Sequence, residues 1–193
     1  GVSSSFFMGK HIICMEVNTI HINFYCEGKI LVQKKYIRLT SAEIGQLWAT
    51  YMNDSASICV FEYFLAHVDD EEIKPVISYA LELSKVHVQK ITEIYKEENF
   101  QIPYGFTLEE DVQINAPRLY SDIYYLNFIH QMAKIALSGH GLSLSHAVRD
   151  DCTKFFTQCL EEAVKLYEMS KELLLSKGLY IRSPYIKAPE HID

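Results

Sequence analysis

Eight histidines and 25 acidic residues are the groups in this sequence best suited to metal or acid–base chemistry, and their spacing decides which kind. A di-iron centre in a helical bundle takes a Glu from each of two helices and a Glu-x-x-His from each of the other two. Positions i and i+3 put both ligands on one inward face. No histidine here has a glutamate three residues before it; the two most inward candidates, His87 and His130, have Ser84 and Asn127 there. A di-iron oxidase centre is therefore not expected, but a mononuclear site remains open. At a rise of about 1.5 Å per residue, His87 lies about 16 residues along the second helix and His130 about 12 along the third, at similar depth. Asp54 on the first helix and Glu162 on the fourth reach a comparable level. Asp54, His87, His130 and Glu162 are the candidate ligands, two imidazoles and two carboxylates that suit Fe, Mn or Zn. The competing reading is a buried polar network in which His87 is a neutral core residue bonded to Ser84 or Tyr51. Glu62 sits about ten residues, roughly 15 Å, too high to join either arrangement. No catalytic or organic-cofactor residues stand out: there is no Gly-rich phosphate loop and no G-x-S-x-G.

The elements that would position these groups are helices. Ile73, Ile77, Ala80, Ser84, His87, Ile91 and Ile94 alternate four and three residues apart, which keeps them on one face, while Lys74, Glu82, Lys85, Gln89, Lys90 and Glu93 fall outside it. Thr40 and Glu43 form a capping box at the start of helix 1, which runs to about Val68 with a stripe through Ile44, Trp48, Tyr51, Ser55, Ile58 and Glu62. A very short junction at 69–72 makes helices 1 and 2 antiparallel neighbours. Residues 99–117 have no helical period, carry Pro103, Gly105 and Pro117, and are long enough to cross from one end of a bundle to the other. Asn115 is the expected cap of helix 3, over about 118–148, with Leu119, Ile123, Leu126, His130, Ala133 and Leu137 inward. Its "SGHG" at 138–141 predicts a kink or a close helix contact, since two glycines cost about 2 kcal/mol against alanine. His140 and His146, near those glycines, are expected to face water. Asp150 is expected to cap helix 4, whose stripe is Cys152, Phe156, Cys159, Ala163, Leu166, Ser170 and Leu173, and Gly178 to end it.

The remaining totals narrow the class. The chain has 193 residues, 49% of them hydrophobic and 22% charged, which suits one globular domain with an appendage. A net charge of -7 without a basic cluster argues against a nucleic-acid groove. No apolar run reaches the roughly 20 residues of a membrane span. Five cysteines without a C-x-x-C pair read as reduced thiols, with Cys59, Cys152 and Cys159 as small core hydrophobes, which points to the cytoplasm. Residues 1–38 are richer in β-branched and aromatic side chains. The dipeptide Glu27-Gly28 between two apolar runs predicts a β-hairpin, against the alternative of a disordered extension. The domain division is then 1–38 for this extension, 39–188 for the bundle and 189–193 for a tail.

Four helices joined by short, long and short connections define an all-α, ferritin-like four-helix bundle with its crossover between helices 2 and 3. The segments "LTSAEIGQLWATYMNDSASICV", "DDEEIKPVISYALELSKVHVQKITEIY", "IPYGFT", "NAPRLYSD" and "LLLSKGLYIRSPYI" resemble, in order, an uncharacterised ferritin-like family of bacilli, domain of unknown function 3231. That resemblance spans about residues 37–186 and implies relatives among spore-associated proteins. It also implies that a homodimer replaces the second bundle of the usual tandem pair. Two functions are expected side by side. One is a non-enzymatic structural or interaction protein, associated with spores or stress, dimerising through the apolar end of helix 1 and the Tyr-rich start of helix 3. The other is a metal-binding protein with the mononuclear site above.

Overall fold

The computed structural model describes residues 14–17, 20–24, 30–32 and 37–186. The chain divides into two compact units, residues 1–38 and 39–193. In the first, β1 (Cys14–Val17), β2 (Ile20–Phe24) and β3 (Ile30–Val32) form an antiparallel sheet in the order β1-β2-β3. Met15 pairs with Ile22 and Asn23 with Leu31. Residues 25–29, which hold the Glu27-Gly28 turn expected from sequence, lie outside the described residues.

The second unit is all-helical among its described residues. Its long helices are α1 (Ser41–His67), α2 (Lys74–Glu97), α4 (Asp122–His146) and α5 (Asp150–Ser176); α3 (Leu108–Asp111) is a single turn inside the crossover. The α1–α2 and α4–α5 pairs pack most extensively, and α2–α5, α1–α4 and α2–α4 contacts close the core. The apolar side chains gather into two clusters. One holds Phe61, Phe64, Ile77, Leu126, Ile129 and Leu174. The other holds Leu47, Ile91, Ile94, Cys152, Phe156 and Cys159. On α1, α2 and α5 a short interval containing Asp54, Ser84 and His87, and Glu162 separates the residues of one cluster from those of the other.

Several expectations from sequence need correction. All seven seam residues of α2 are buried, but α1 is rotated by about one position. Glu43, Leu47 and Thr50 face inward, and Trp48 is 53% exposed. Helix α1 is apolar nearly all round along its second half, so periodicity alone fixes its rotation poorly. Helix α4 starts later than expected, because Ser121, not Asn115, caps it through the Tyr124 amide. The Ala116 and Pro117 carbonyls are drawn off to His67 Nε2 and the Tyr63 hydroxyl, each at 2.8 Å. Leu119 and Ile123 consequently sit on the surface. The helix runs unbroken through Gly139 and Gly141, where an added Cβ would meet nothing within 4 Å. The glycines therefore mark no close contact, and packing to either side absorbs their propensity cost. Asp150 is a first-turn residue of α5; Arg149 occupies the cap position without a side-chain cap bond. Gly105 is the glycine that a neighbour does require: a Cβ there would lie 2.7 Å from Ser55 Oγ, where the crossover presses on α1.

The capping box at Thr40 does more than start a helix. Glu43, only 1% exposed, accepts from the Thr40 amide and hydroxyl at 2.8 and 2.9 Å, and also from the Val148 and Arg149 amides at 2.8 Å each. One carboxylate thus ties the start of α1 to the α4–α5 junction. Burial alone would raise its pKa, but the amides of Arg149, Thr40 and Val148 and the Thr40 hydroxyl outweigh burial and hold it below its ordinary 4.5. A carboxylate with a depressed pKa stabilises the fold above its ordinary value, and that stabilisation is lost as pH falls through the folded value. Glu43→Ala, which strips buried amides of their acceptor, is expected to lower stability by about 3 kcal/mol at neutral pH. In urea titrations over a pH series, the gap from wild type should narrow as pH falls below the ordinary 4.5 and through the lowered folded value. A gap that stayed constant with pH would show that the charge on Glu43 has no part in it.

Candidate functional site

The polar interval between the apolar clusters holds the most concentrated chemistry among the described residues. Each long helix contributes at one level: α1 gives Asp54, α2 gives Ser84 and His87, α4 gives His140, and α5 gives Cys159 and Glu162. Its centre is His87, 4% exposed. The ring's Nδ1 lies 3.1 Å from Asp54 Oδ2 and its Nε2 lies 2.9 Å from Glu162 Oε2. A neutral imidazole has one acceptor nitrogen, which would here be set against a carboxylate lone pair. Two carboxylate partners require both nitrogens to donate, so His87 is an imidazolium. Burial opposes that charge. Hydrogen bonds to Asp54, Cys159 and Glu162 and the charge of Asp54 override it, and the pKa is pushed up to about 12. Ser84 Oγ donates to the other oxygen of Asp54 at 3.1 Å, and Gln158 Nε2 to the other oxygen of Glu162 at 2.8 Å. These second partners fix the carboxylates that hold the ring.

Helix α4 brings His140 against this ion triad. Its ring meets that of His87 edge to face, with centroids 5.7 Å apart at 81°. Burial lowers the His140 pKa and the positive charge of His87 lowers it further, so His140 is neutral. None of the described residues hydrogen-bonds to the His140 ring. Cys159 completes the group: its sulfur and one nitrogen each of His87 and His140 lie within 4.8 Å of one another. Burial raises the Cys159 thiol pKa, against the opposing pull of His87. Phe155, edge-on to His87 at 5.8 Å, closes the layer on the side of the second apolar cluster.

Of the four residues nominated from sequence, Asp54, His87 and Glu162 come together and His130 does not. His130 Nδ1 instead pairs with Ser170 Oγ at 3.0 Å, and the ring stacks on Tyr167 at 5.1 Å. Ser170 is eight residues past Glu162, about 12 Å along α5, so His130 belongs to a different level of the core. The depth estimate failed because α4 begins at Asp122 and not near Arg118, which leaves His130 too close to the start of the helix. His140 is half-buried beside His87, contrary to the expectation that it faces water. The sequence signal that finds it is the spacing from the buried Ala133 and Ser143, which places His140 on the same inward stripe seven residues on and three residues back. Two adjacent glycines disguised that stripe as a break.

The triad makes a sharp energetic demand. Replacing His87 by Leu leaves two carboxylates facing each other across a mostly buried gap without a cation. Removing one partner of a buried ion pair costs about 3 kcal/mol or more. His87→Leu is therefore expected to destabilise by at least about 3 kcal/mol, and His87→Leu with Asp54→Asn and Glu162→Gln to recover part of the loss. Urea unfolding of wild type, the three single variants and the triple variant checks this. Additive losses across the three positions would mean that the residues are not coupled.

Comparison with known proteins follows the fold. A search of curated proteins finds no match. Two solved structures share the architecture. One is a protein named a putative spore coat protein, from Bacillus halodurans C-125. It is 18% identical over 79% of this chain and 98% of its own, with a TM-score of 0.68. The other is a conserved hypothetical protein from Mycobacterium tuberculosis, 14% identical over 71% of this chain and 100% of its own, with a TM-score of 0.58. At these identities the likeness is one of fold. The model of the family described as protein of unknown function (DUF3231) matches residues 29–192, and the chain belongs to that family.

Proposed function

We propose that the protein is a metal-binding member of the ferritin-like four-helix-bundle class, holding one divalent transition-metal ion in its polar layer. The observation that carries this reading is the convergence of His87, His140, Asp54 and Glu162 from four helices, with the His140 ring unpartnered among the described residues. Imidazole and carboxylate donors together suit Zn, Mn or Fe. His87 and His140 bring one nitrogen each to within 4.8 Å of the other, and Glu162 stands 2.9 Å from His87 Nε2. Asp54 acts through His87, since a carboxylate on Nδ1–H fixes the tautomer that presents Nε2. Bound there, the ion would take over from the imidazolium in neutralising the buried carboxylates. His140 thus stands in the role that sequence gave to His130.

A second reading is that the protein is a non-enzymatic structural or interaction protein, homodimeric and associated with the spore. It is supported by the likeness to the protein named a putative spore coat protein and by large apolar side chains left in water. Trp48, Leu119, Ile135 and Leu142 are each more than half exposed. A surface groove of about 540 Å³ runs beside Trp48, Phe100, Ile102, Pro103 and Tyr104. Among the described residues no helix is long and apolar enough to cross a membrane.

Elemental analysis of untagged protein purified without chelator is expected to find about one metal ion per chain, with loss in His87→Ala and in His140→Ala. Adding the ion at 100 times its Kd should stabilise chelator-treated protein by about 2.7 kcal/mol through mass action. Protein that is empty and gains no stability from Fe, Mn or Zn would remove the first reading. A strictly monomeric sedimentation profile would count against the dimer of the second.

A further inference from the structure

We infer that Cys159 is a thiolate ligand of the core ion, so that the centre combines two imidazoles, one thiolate and one carboxylate and is built for zinc. The inference rests on the metal-binding reading and narrows it, because sulfur donors select against manganese and magnesium. Three cysteines are buried among the described residues, and they differ in surroundings. Cys152 and Cys159 both belong to the apolar cluster with Leu47 and Phe156, and away from polar groups a thiol there behaves as a small hydrophobe. Cys159 alone has two imidazole nitrogens within 4.8 Å of its sulfur and of each other, supplied by α2 and α4. It also precedes Glu162 by three residues on α5, and the Glu162 carboxylate stands 2.9 Å from His87 Nε2, next to the three converging donors.

The sizes agree. Zinc holds nitrogen at about 2.0 Å and sulfur at about 2.3 Å, so tetrahedral ligands lie about 3.5 Å apart. The widest separation among the three donors is 4.8 Å. Closing it takes a movement of about 1 Å, small enough for side-chain rotation of Cys159 and His140. The His140 ring has no hydrogen-bond partner among the described residues to give up, whereas His87 gives up its Nε2 bond to Glu162. The charges also balance. Asp54 and Glu162 with the His87 imidazolium carry a net charge of minus one. On binding, the Cys159 S–H and the His87 Nε2–H each release a proton to solvent, and one divalent ion enters. Two unit charges leave and two arrive, and the buried layer keeps its charge. Without the thiol proton, the layer would gain a positive charge on binding.

Cobalt(II) is the probe, because cobalt replaces zinc at such sites and a bound thiolate gives it a near-ultraviolet charge-transfer band. The full chain, stripped with chelator and dialysed, is titrated with cobalt as wild type, as Cys159→Ser, and as a variant in which Cys14, Cys26, Cys59 and Cys152 are all serine. Wild type and the variant retaining only Cys159 are expected to show the band, and Cys159→Ser to lack it and to bind zinc at least about tenfold more weakly. If Cys159→Ser fails to fold, the variant retaining only Cys159 decides: loss of the wild-type band there overturns the assignment. Cobalt bound by all three proteins without a charge-transfer band refutes the thiolate and leaves the metal-binding reading standing. If no protein binds cobalt, zinc, manganese or iron, the metal-binding reading fails and this inference falls with it.

Discussion

The ion triad of Asp54, His87 and Glu162 is the constraint around which the helical unit is arranged. Three charged groups sit between the two apolar clusters, with the ring 4% exposed. An isolated buried charge would be intolerable, and a pair is acceptable only when its remaining donors and acceptors are satisfied. Here each carboxylate has a second partner, Ser84 for Asp54 and Gln158 for Glu162. The triad requires α1, α2 and α5 to be in register with one another. A slide of one turn would move His87 about 5.4 Å along its axis, into the side chains of an apolar cluster and away from both carboxylates. Packing of Ile and Leu across the two clusters specifies that helices associate; the charged layer specifies at what height.

That division of labour explains which parts of the architecture were legible in the sequence. The α2 seam could be read residue by residue because its outward face is densely charged and its inward face is not. Thr40 and Glu43 announced a helix start, and they form one. The partners that Glu43 finds at Val148 and Arg149 are more than a hundred residues away, where no local pattern reaches. The α4 boundary was misread for a related reason. Asn115 and Pro117 have the chemistry of a helix start, yet the last turn of α1 takes up the backbone there through Tyr63 and His67. Tertiary contacts chose Ser121 instead.

The site shows the same limit more sharply. His87 and Glu162 were identifiable because each lies on or beside a stripe whose phase was already clear, and Asp54 by its level along α1 beside the buried Ser55, although the phase of that helix was not. His140 and Cys159 were hidden, one between two glycines that suggested a break and the other within a stripe that could be read as wholly apolar. Both assignments depend on where α4 sits along its axis. The axial position of α4 depends on the crossover, which is the segment with the least periodic information in the chain.

A buried layer of this kind is hard to explain by stability alone. Filling the same space with well-packed apolar side chains is often neutral or stabilising relative to a buried ion group, and the two clusters on either side show that such packing is within this sequence's means. On the proposed reading, the layer supplies instead a set of donors that protons or a divalent cation can neutralise. Nε2 of His130, whose Nδ1 pairs with Ser170, is the buried imidazole nitrogen left unbonded among the described residues, and it lies at another level; His140 is only half-buried. Its nitrogen is brought beside His87 and Cys159. On the metal-binding reading, that juxtaposition is the place for a ligand.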